Sequence, residues 1–484
     1  MTTSTDDRYR GIDVSDLTSG QREAFERLIA GQNVFLTGYA GTGKSYVLDR
    51  FLAWLEAGEE ECIAMAPTGV AALQIRNGTT IHRALRLGIG FLDPNAPVKA
   101  PATLKAARVV VIDEISMVRI DMFETVMRMI WDAEAASFPK QVVLVGDFFQ
   151  LPPVVTKEDR EIMLAFYPEN HSGWAFRSRY WQGFGFKPCI LTEVVRQEAP
   201  ELVGALNRAR VGDEKCLEFF NERSKSDRKY AREDAVYLCP RNNLADSINM
   251  ERLSALDAET ATFLRTSSGE VKESDMKRVD KKLTLAVGAR VMALINDTEG
   301  RFVNGSLGTV TALEDGKVAV LFDESDEPVG IGRHKWKILR PSLIPGIDEF
   351  GEPCERVEMS EVGSFTQIPL RLAYAVTIHK SQGLTFDKCT VGTKVFSPGQ
   401  LYVALSRCSS AEGLTVVPKI ERGRLKANRE VVDFYNELLE EDTEEDQSVS
   451  VIVPKRFEAA VRSLVSELQN HERCKGTSLG ACHA

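Results

Sequence analysis

The sequence predicts an α/β protein: a parallel-sheet nucleotide-binding domain, then a second α/β segment interrupted by a β-rich stretch. Three observations carry this. The apolar run Val34-Phe35-Leu36 leads into the glycine-rich GYAGTGKS at 38–45, and an amphipathic segment follows (Val47, Leu48, Phe51, Leu52, Trp54, Leu55). Strand, glycine loop and helix in that order make a P-loop. The β-branched run Val109–Ile112 ends in Asp113-Glu114, as a buried parallel strand carrying acids at its C-terminal end would. From about 260 to 365 the texture changes to short β-rich runs with Gly/Asn turns, which suggests a small β-barrel inserted into the second domain.

Composition sets the outer bounds. A chain of 484 residues has room for about three domains. No apolar run approaches the length of a membrane span, and Met1 to Gly11 is too polar for a secretory signal. Nine scattered cysteines suit a reducing cytosol and give no disulfide framework. The net charge of −10 argues against nonspecific coating of nucleic acid, but leaves room for a locally basic groove.

In chain order, Thr18 or Ser19 is placed to cap a helix carrying Ala24, Phe25, Leu28 and Ile29. Gln21 sits at its start, just upstream of the P-loop, and an amide can pair with an adenine edge. In the P-loop, glycines turn backbone N–H groups toward phosphate, Lys44 would reach the β/γ-phosphates and Ser45 would hold Mg²⁺. Cys62–Ala66 reads as a second buried strand running into Pro67–Ala72 and then Gly78–His82, small and hydroxyl residues suited to phosphate contact. His82 reads equally as a helix-cap residue.

Residues 86–103 read as an insertion, a β-hairpin turning at Asp93-Pro94-Asn95, with Phe91 near its tip. That ring either packs beneath the loop or stacks on and splits strands. Asp113 would hold Mg²⁺ through water and Glu114 would polarise the attacking water. The strand Gln141–Asp147 leads to Gln150, beyond its C-terminal edge, where it could sense a γ-phosphate.

The first domain is expected to end near 190 and the second to open at Leu191. Residues 201–233 read as helical and highly charged. Val236–Pro240 reads as a strand, Ala245–Leu253 as a helix, and the α/β texture resumes at Leu372–Gly383 and Leu401–Arg407. Leu414–Val417 reads as a further strand. Glu440 to Asp446 reads as a solvated acidic linker, and Ala459–Leu468 as a terminal helix. His471, Cys474, Cys482 and His483 match no standard zinc spacing.

This set of motifs resembles the superfamily 1B helicases, the group that joins Pif-type, Dda-like and RecD-like enzymes, over roughly residues 14–420. The matching stretches are GYAGTGKS (38–45), APTGVAA (66–72), TTIH (79–82), VVIDEISM (110–117) and GDFFQLPPV (146–154). They continue with LTEVVRQ (191–197), TIHKSQGLTFD (377–387) and LYVALSR (401–407). The block VGARVMALIN…FVNGSLGTV at 287–310 is similar to the family's SH3-like insertion. Residues 129–140, between the second and third long motifs, lack the glycine pair of the Pif-type pattern, which sets this chain nearer the shorter Dda-like helicases.

The resemblance implies two RecA-like domains: 1–190 with a separating pin at 86–103, and 191–255 joined to 366–430. An SH3-like insertion would fill 256–365, and 431–484 would be an acidic linker and tail. It implies a monomeric enzyme of the bacterial or phage-infected cytoplasm, at the nucleoid. ATP hydrolysis with Mg²⁺ would drive it 5′→3′ along single-stranded DNA and through single-strand/duplex junctions, in replication, recombination or repair. Single-strand-binding or replication/recombination proteins would be its partners.

By motif match, Gln21 would read adenine, and Gly38, Gly41, Thr42, Gly43, Lys44, Ser45 and Gly383 would line the nucleotide. Ser45 and Asp113 would hold the metal. Glu114 and Gln150 would serve catalysis, with Arg196 and Arg407 as cationic fingers on the γ-phosphate. Thr68, Thr80, His82, Phe91, Asn242, Thr377, His379 and Ser381 would touch DNA. Two other readings stay open: an ATPase that grips or loads single strands without unwinding, and the motor subunit of a RecD-type complex. The motifs do not separate DNA from RNA, since phosphate contacts say nothing about the 2′-OH.

Overall fold

The computed structural model describes residues 7–445, apart from 89, 169, 171, 196–199, 229–233, 272, 277–278, 298, 303, 315, 324 and 348–352; of the side chains at 339–360 and 440–445 nothing is said. The sequence elements Ala459–Leu468 and His471–His483 lie outside the described residues.

The N-terminal half is organised on six parallel strands. They are β1 (Val34–Gly38), β2 (Cys62–Ala66), β3 (Thr79–Thr80), β4 (Val109–Ile112), β5 (Gln141–Val145) and β6 (Lys187–Leu191), in the order β3-β2-β4-β5-β1-β6. β1 and β4 are buried at every position, which is why they read as unbroken apolar runs. Helix α1 (Ser19–Ile29) starts in a capping box: the Thr18 hydroxyl accepts from the Gln21 N–H, and the Gln21 side chain accepts from the Thr18 N–H. Helix α2 (Lys44–Ala57) follows the P-loop and buries Val47, Leu48, Phe51, Leu52, Trp54 and Leu55. The expected boundary at 190/191 falls inside β6, because Leu191 pairs with Gly38 across β1.

A second parallel sheet is built from Ala375–Thr377, β7 (Val236–Cys239), Cys389–Gly392 and Leu414–Val417, in that spatial order. Between β7 and Ala375 the chain forms antiparallel sheets. One has five strands, in the order Val329–Gly332, Lys317–Phe322, Leu307–Glu314, Arg290–Ala293 and Leu370–Leu372, around a separate core that includes Val291, Val310, Val320 and Phe322. Another contains a long ribbon, His334–Ile347 against Pro353–Gln367, that the sequence did not suggest. Despite Pro341, Pro345, Gly346 and Gly363, the backbone is paired from His334↔Gln367 to Ile347↔Pro353, with one register shift between Ile338 and Leu339.

Two expectations are corrected. Among the described residues of 86–101 there is no hairpin. A turn does sit where expected, with Ala96 N–H donating to Asp93 O, but the segment is laid along the helix Ile120–Ala136 rather than paired with itself. Leu92 N–H donates to Asp121 Oδ2 (2.8 Å), Ala100 N–H donates to Asp132 Oδ2 (2.9 Å), and the Arg128 guanidinium donates to Pro94 O and Ala96 O. Pro94, Pro97 and Pro101 remove ladder donors, so side chains of the neighbouring helix satisfy the backbone instead.

The second correction concerns the C-terminal region. Arg429–Glu445 is a helix, and the expected acidic linker begins as its last turns. Val431, Phe434, Tyr435 and Leu438 are buried in the main core, at the i, i+3, i+4, i+7 spacing of one helix face. Phe434 stacks on Phe176 with centroids 4.2 Å apart and planes 14° apart, and meets Phe148 and Trp181 edge-on. Phe434→Ala is therefore expected to destabilise the protein by about 3–5 kcal/mol in denaturant unfolding. A loss below about 1 kcal/mol would mean that this helix is not part of the core.

Candidate nucleotide site and the cleft between the sheets

The site grows from the C-terminal ends of β1, β4 and β5. Gly38, Gly41 and Gly43 hold φ of 140°, 80° and 79°, values that favour glycine. Space is as tight as backbone: a Cβ on Gly38 would lie 2.1 Å from Leu191 O, and one on Gly43 would lie 2.4 Å from Gln21 Nε2. Thr42 is buried, its hydroxyl donating to Tyr39 O. Lys44 Nζ donates to Gly38 O (3.0 Å) and Tyr39 O (2.8 Å). Burial pushes the Lys44 pKa down to about 8, although Asp147, Glu114 and Asp113 pull the other way. Ser45 is exposed at the first turn of α2.

Gln21 lies beside this loop, as the sequence suggested, but its amide is engaged there. Oε1 accepts from Thr18 N–H (3.1 Å) and Nε2 donates to Thr42 O (2.9 Å), so the residue ties α1 to the P-loop.

Asp113 and Glu114 follow β4. Glu114 takes a left-handed conformation (φ 50°), a strained geometry for a residue with a side chain. Burial raises the pKa of both carboxyls. The Glu114 charge raises Asp113 further, while Arg407, a hydrogen bond from Gln382 and Lys44 favour the ionised form of Glu114. The Gln382 Nε2 donor lies 3.0 Å from Glu114 Oε2 and comes from the segment after Ala375–Thr377, so the second sheet reaches the acid of the first. Gly383, at φ 80°, packs on the Gln74 side chain, whose Nε2 donates to Gly383 O (3.0 Å).

Arg407 is buried at the end of the helix Gln400–Leu405. It donates to Val403 O, Leu384 O and Ser406 Oγ. Gln150 is also buried, and Gly399 packs against its backbone carbonyl. Tyr39 N–H donates to Leu191 O (3.1 Å) and Val195 N–H to Gly41 O (3.0 Å), which brings the LTEVVRQ motif to the P-loop; Arg196 itself lies outside the described residues.

Beneath the loop lies a polar cluster that the sequence did not reveal. Asp147 (0% exposed) accepts from Arg210 (4% exposed) at 2.9 and 3.1 Å. The hydroxyls of Tyr402 and Tyr435 lie 3.4 and 3.5 Å from the same carboxylate. The Tyr402 hydroxyl accepts from Ala40 N–H of the P-loop (3.1 Å), and the Tyr435 hydroxyl meets Thr37 Oγ1 of β1 (2.5 Å). The guanidinium lies over the Phe149 ring at 4.2 Å. Asp147 could have been suspected, since it ends a buried strand as Asp113 does. Arg210, in a helix of ordinary charge pattern, gave no such signal.

The candidate DNA contacts scatter. The hydroxyls of Thr68 and Thr80 cap short helices, accepting from Ala71 N–H and Arg83 N–H. His82 and His379 are half-buried, and burial lowers the pKa of both. Phe91 packs on Phe166 (centroids 5.3 Å apart), the packing alternative of the two considered. Ser381 is fully buried: its hydroxyl donates to Ile378 O and its N–H to Thr377 O, so it builds the turn and is withdrawn from any surface contact. Asn242 and Thr377 line one cavity, between the second sheet and the antiparallel region, with the cations Lys281, Lys282, Arg371 and Lys380 and the acids Asp246 and Asp280.

These features define a P-loop nucleotide-binding protein with two parallel sheets typical of RecA-like domains, whose second sheet contributes to the site on the first. The comparisons narrow the class. A PIF1-like helicase family profile matches residues 16–206. The ATP-dependent DNA helicase Pif1 of Campylobacter jejuni is 32% identical over 453 residues, covering 85% of this chain and 96% of that protein. The protein of the same name from Bdellovibrio bacteriovorus is 31% identical, covering 87% and 92%. A crystal structure of Bacteroides Pif1 bound to ssDNA superposes with a TM-score of 0.72 at 33% identity, covering 88% of this chain and 98% of that one. The chain belongs to the PIF1-like helicase family. The missing glycine pair at 129–140 therefore does not set it apart with the Dda-like enzymes. Among the described residues, no helix is long and apolar enough to cross a membrane.

Two outcomes follow from the electrostatics. The cationic form of Lys44 is lost as pH rises through about 8, so ADP affinity measured without metal should fall between pH 7 and 9, approaching roughly tenfold per unit at the upper end. Lys44→Met should flatten that profile, and a flat profile in the unaltered protein would refute the assignment. Arg210→Met leaves the Asp147 charge buried alone and should cost about 3–5 kcal/mol in urea unfolding. The double variant Asp147→Asn/Arg210→Met should lose clearly less than the sum of the two single losses. Simple additivity would show that the pair is not coupled.

Proposed function

We propose that this chain is an ATP-dependent DNA helicase that moves 5′→3′ on single-stranded DNA and opens duplex ahead of it. The observation that carries the reading is the 3.0 Å contact from Gln382 to Glu114, a second-sheet side chain touching the candidate water-polarising acid of the first. A site completed by both sheets lets hydrolysis change the spacing between them, which is the physical requirement for stepping along a strand. Membership in the PIF1-like family, and the similarity to a Pif1 structure bound to ssDNA, support DNA as the track.

In this reading Lys44 and the glycines hold the phosphates, Glu114 orients water, Gln150 senses the γ-phosphate, and Arg407 with Arg196 supplies positive charge on closure. Two half-buried carboxyls with raised pKa call for a nearby cation; Ser45 and Asp113 would hold Mg²⁺, which supplies charge neutralisation at the phosphates. Gln21 buttresses the loop and could present its remaining amide hydrogen to adenine. Gly383 would carry the nucleotide end of the second sheet.

Thr68, Thr80, His82, Asn242, Thr377 and His379 would follow the DNA backbone, Asn242 and Thr377 from the cavity they line with Lys281, Lys282, Arg371 and Lys380. The domains proposed are RecA-like halves at 7–191 and at 192–255 with 366–428, an SH3-like insertion at 256–365, and a C-terminal helix at 429–445 that packs on the aromatic core of the first half. The proline-rich segment 86–103 would be the separating pin, with Phe91 at its base. A cytoplasmic monomer acting at single-strand/duplex junctions fits this arrangement.

The test compares matched partial duplexes with a 5′ or a 3′ single-stranded tail, with and without ATP. Separation of the 5′-tailed duplex alone, and only with ATP, is expected, and Lys44→Ala should abolish it. DNA-stimulated ATP hydrolysis without separation of either substrate would favour the gripping module or a subunit that needs its partner.

A further inference from the structure

Phe396 is the most exposed aromatic residue among those described, at 59%. Other exposed rings rest on neighbours: Trp131 stacks on Phe184, Phe166 meets Phe91, and Tyr46 lies against Arg50. Phe396 has no ring partner among the described residues. Its neighbour is the guanidinium of Arg241, 5.4 Å from the ring centroid.

The ring is presented on a fixed support. Phe396 N–H donates to Oε1 of the fully buried Gln400 (3.1 Å), whose Nε2 donates to Pro240 O at the end of β7. Thr393 is pinned by its N–H to Val417 O and by its hydroxyl to Pro418 O, and Gly399 N–H donates to Lys426 O. Val395, one residue earlier, is buried. A short loop held at both ends, with its hydrophobe turned outward, exposes apolar surface that folding alone does not require.

Its place in the fold suggests the occupant. Phe396 and Arg241 sit at the C-terminal edge of the second parallel sheet, where ligands gather in open α/β sheets. Arg241 directly precedes Asn242, and Thr377 ends the strand on the far side of β7. Two strand spacings put the loop about 10 Å from Thr377, within reach of the same strand of nucleic acid. Arg241 lies against the ring and is exposed, and Lys394, two residues before Phe396 in the chain, is exposed as well, so this edge carries positive charge in a chain of net charge −10. An apolar ring face beside a guanidinium, with a second exposed cation two residues away in the chain, matches a base with its phosphate alongside.

We infer that Phe396 and Arg241 form a stacking platform for one base of the bound single-stranded DNA, with Lys394 on its phosphate. This rests on the helicase reading and adds a contact to bases, where the other proposed contacts are to backbone. The platform would be indifferent to sequence, because every base offers a π-face.

The test uses the full chain and fluorescence anisotropy with a labelled thymidine 16-mer, and with the same strand made of abasic sites. Phe396→Ala is expected to weaken binding of the 16-mer about 5- to 100-fold, and Phe396→Trp to restore it. On the abasic strand Phe396→Ala should bind as the unaltered protein does. Arg241→Ala should weaken binding and flatten its salt dependence. Equal affinity of Phe396→Ala and the unaltered protein for the 16-mer would overturn the platform, as would an equal loss on both strands. Failure of the unaltered protein to bind either strand would overturn the helicase reading itself. Unchanged DNA binding, with self-association lost in Phe396→Ala, would assign the ring to a second copy of the chain and so overturn the proposal.

Discussion

The structure depends on one buried ion pair. Asp147, at the C-terminal end of β5, and Arg210, from a helix that follows the first sheet, meet with almost no solvent access. An uncompensated charge at such depth costs several kcal/mol, so each fixes the other's position. Two tyrosine hydroxyls complete the arrangement. Tyr402 comes from the helix Gln400–Leu405, just before Arg407, and Tyr435 from the C-terminal helix. Each hydroxyl also reaches the nucleotide side, one at the backbone of Ala40 and the other at Thr37. Four distant parts of the chain are thus registered against the P-loop by one carboxylate.

That registration explains how a strained, desolvated site persists. Lys44, Asp113 and Glu114 are all held with their charged forms disfavoured by burial. Glu114 adds a left-handed backbone. Such features survive where the surroundings over-determine them, and here the surroundings are the six-stranded sheet, α2 and the polar cluster below. A bound nucleotide and its cation would relieve these charges. The Gln382–Glu114 contact then places any such change within reach of the second sheet.

The two corrected segments share a cause. The insertion at 86–101 and the C-terminal helix were read from local texture, prolines and turn residues in one case and a run of acids in the other. Both are decided by a neighbour. Asp121, Arg128 and Asp132 take up the backbone groups of the first, and the aromatic cluster around Phe148, Phe176 and Trp181 takes up the apolar face of the second.

By itself the sequence determined the parts whose chemistry is local. A P-loop is contiguous, since its glycines, Lys44 and Ser45 must lie between one strand and one helix, and continuous burial forces the strands ending at Gly38 and Asp113 to read as apolar runs. The same held for the motif containing Gln382-Gly383 and the motif ending in Arg407, each of which is a short contiguous stretch. Tertiary structure decided what depends on pairing distant residues. Arg210 and Asp147 are 63 positions apart, and Gln382 and Glu114 are 268 apart. Tyr435 reaches Thr37 across 398. No local pattern marks such partners, because burial of a charge or a hydroxyl is favourable only once its partner is in place. The withdrawal of Ser381 into its turn and the presentation of Phe396 at the sheet edge were decided the same way, by which side of a folded segment met the core.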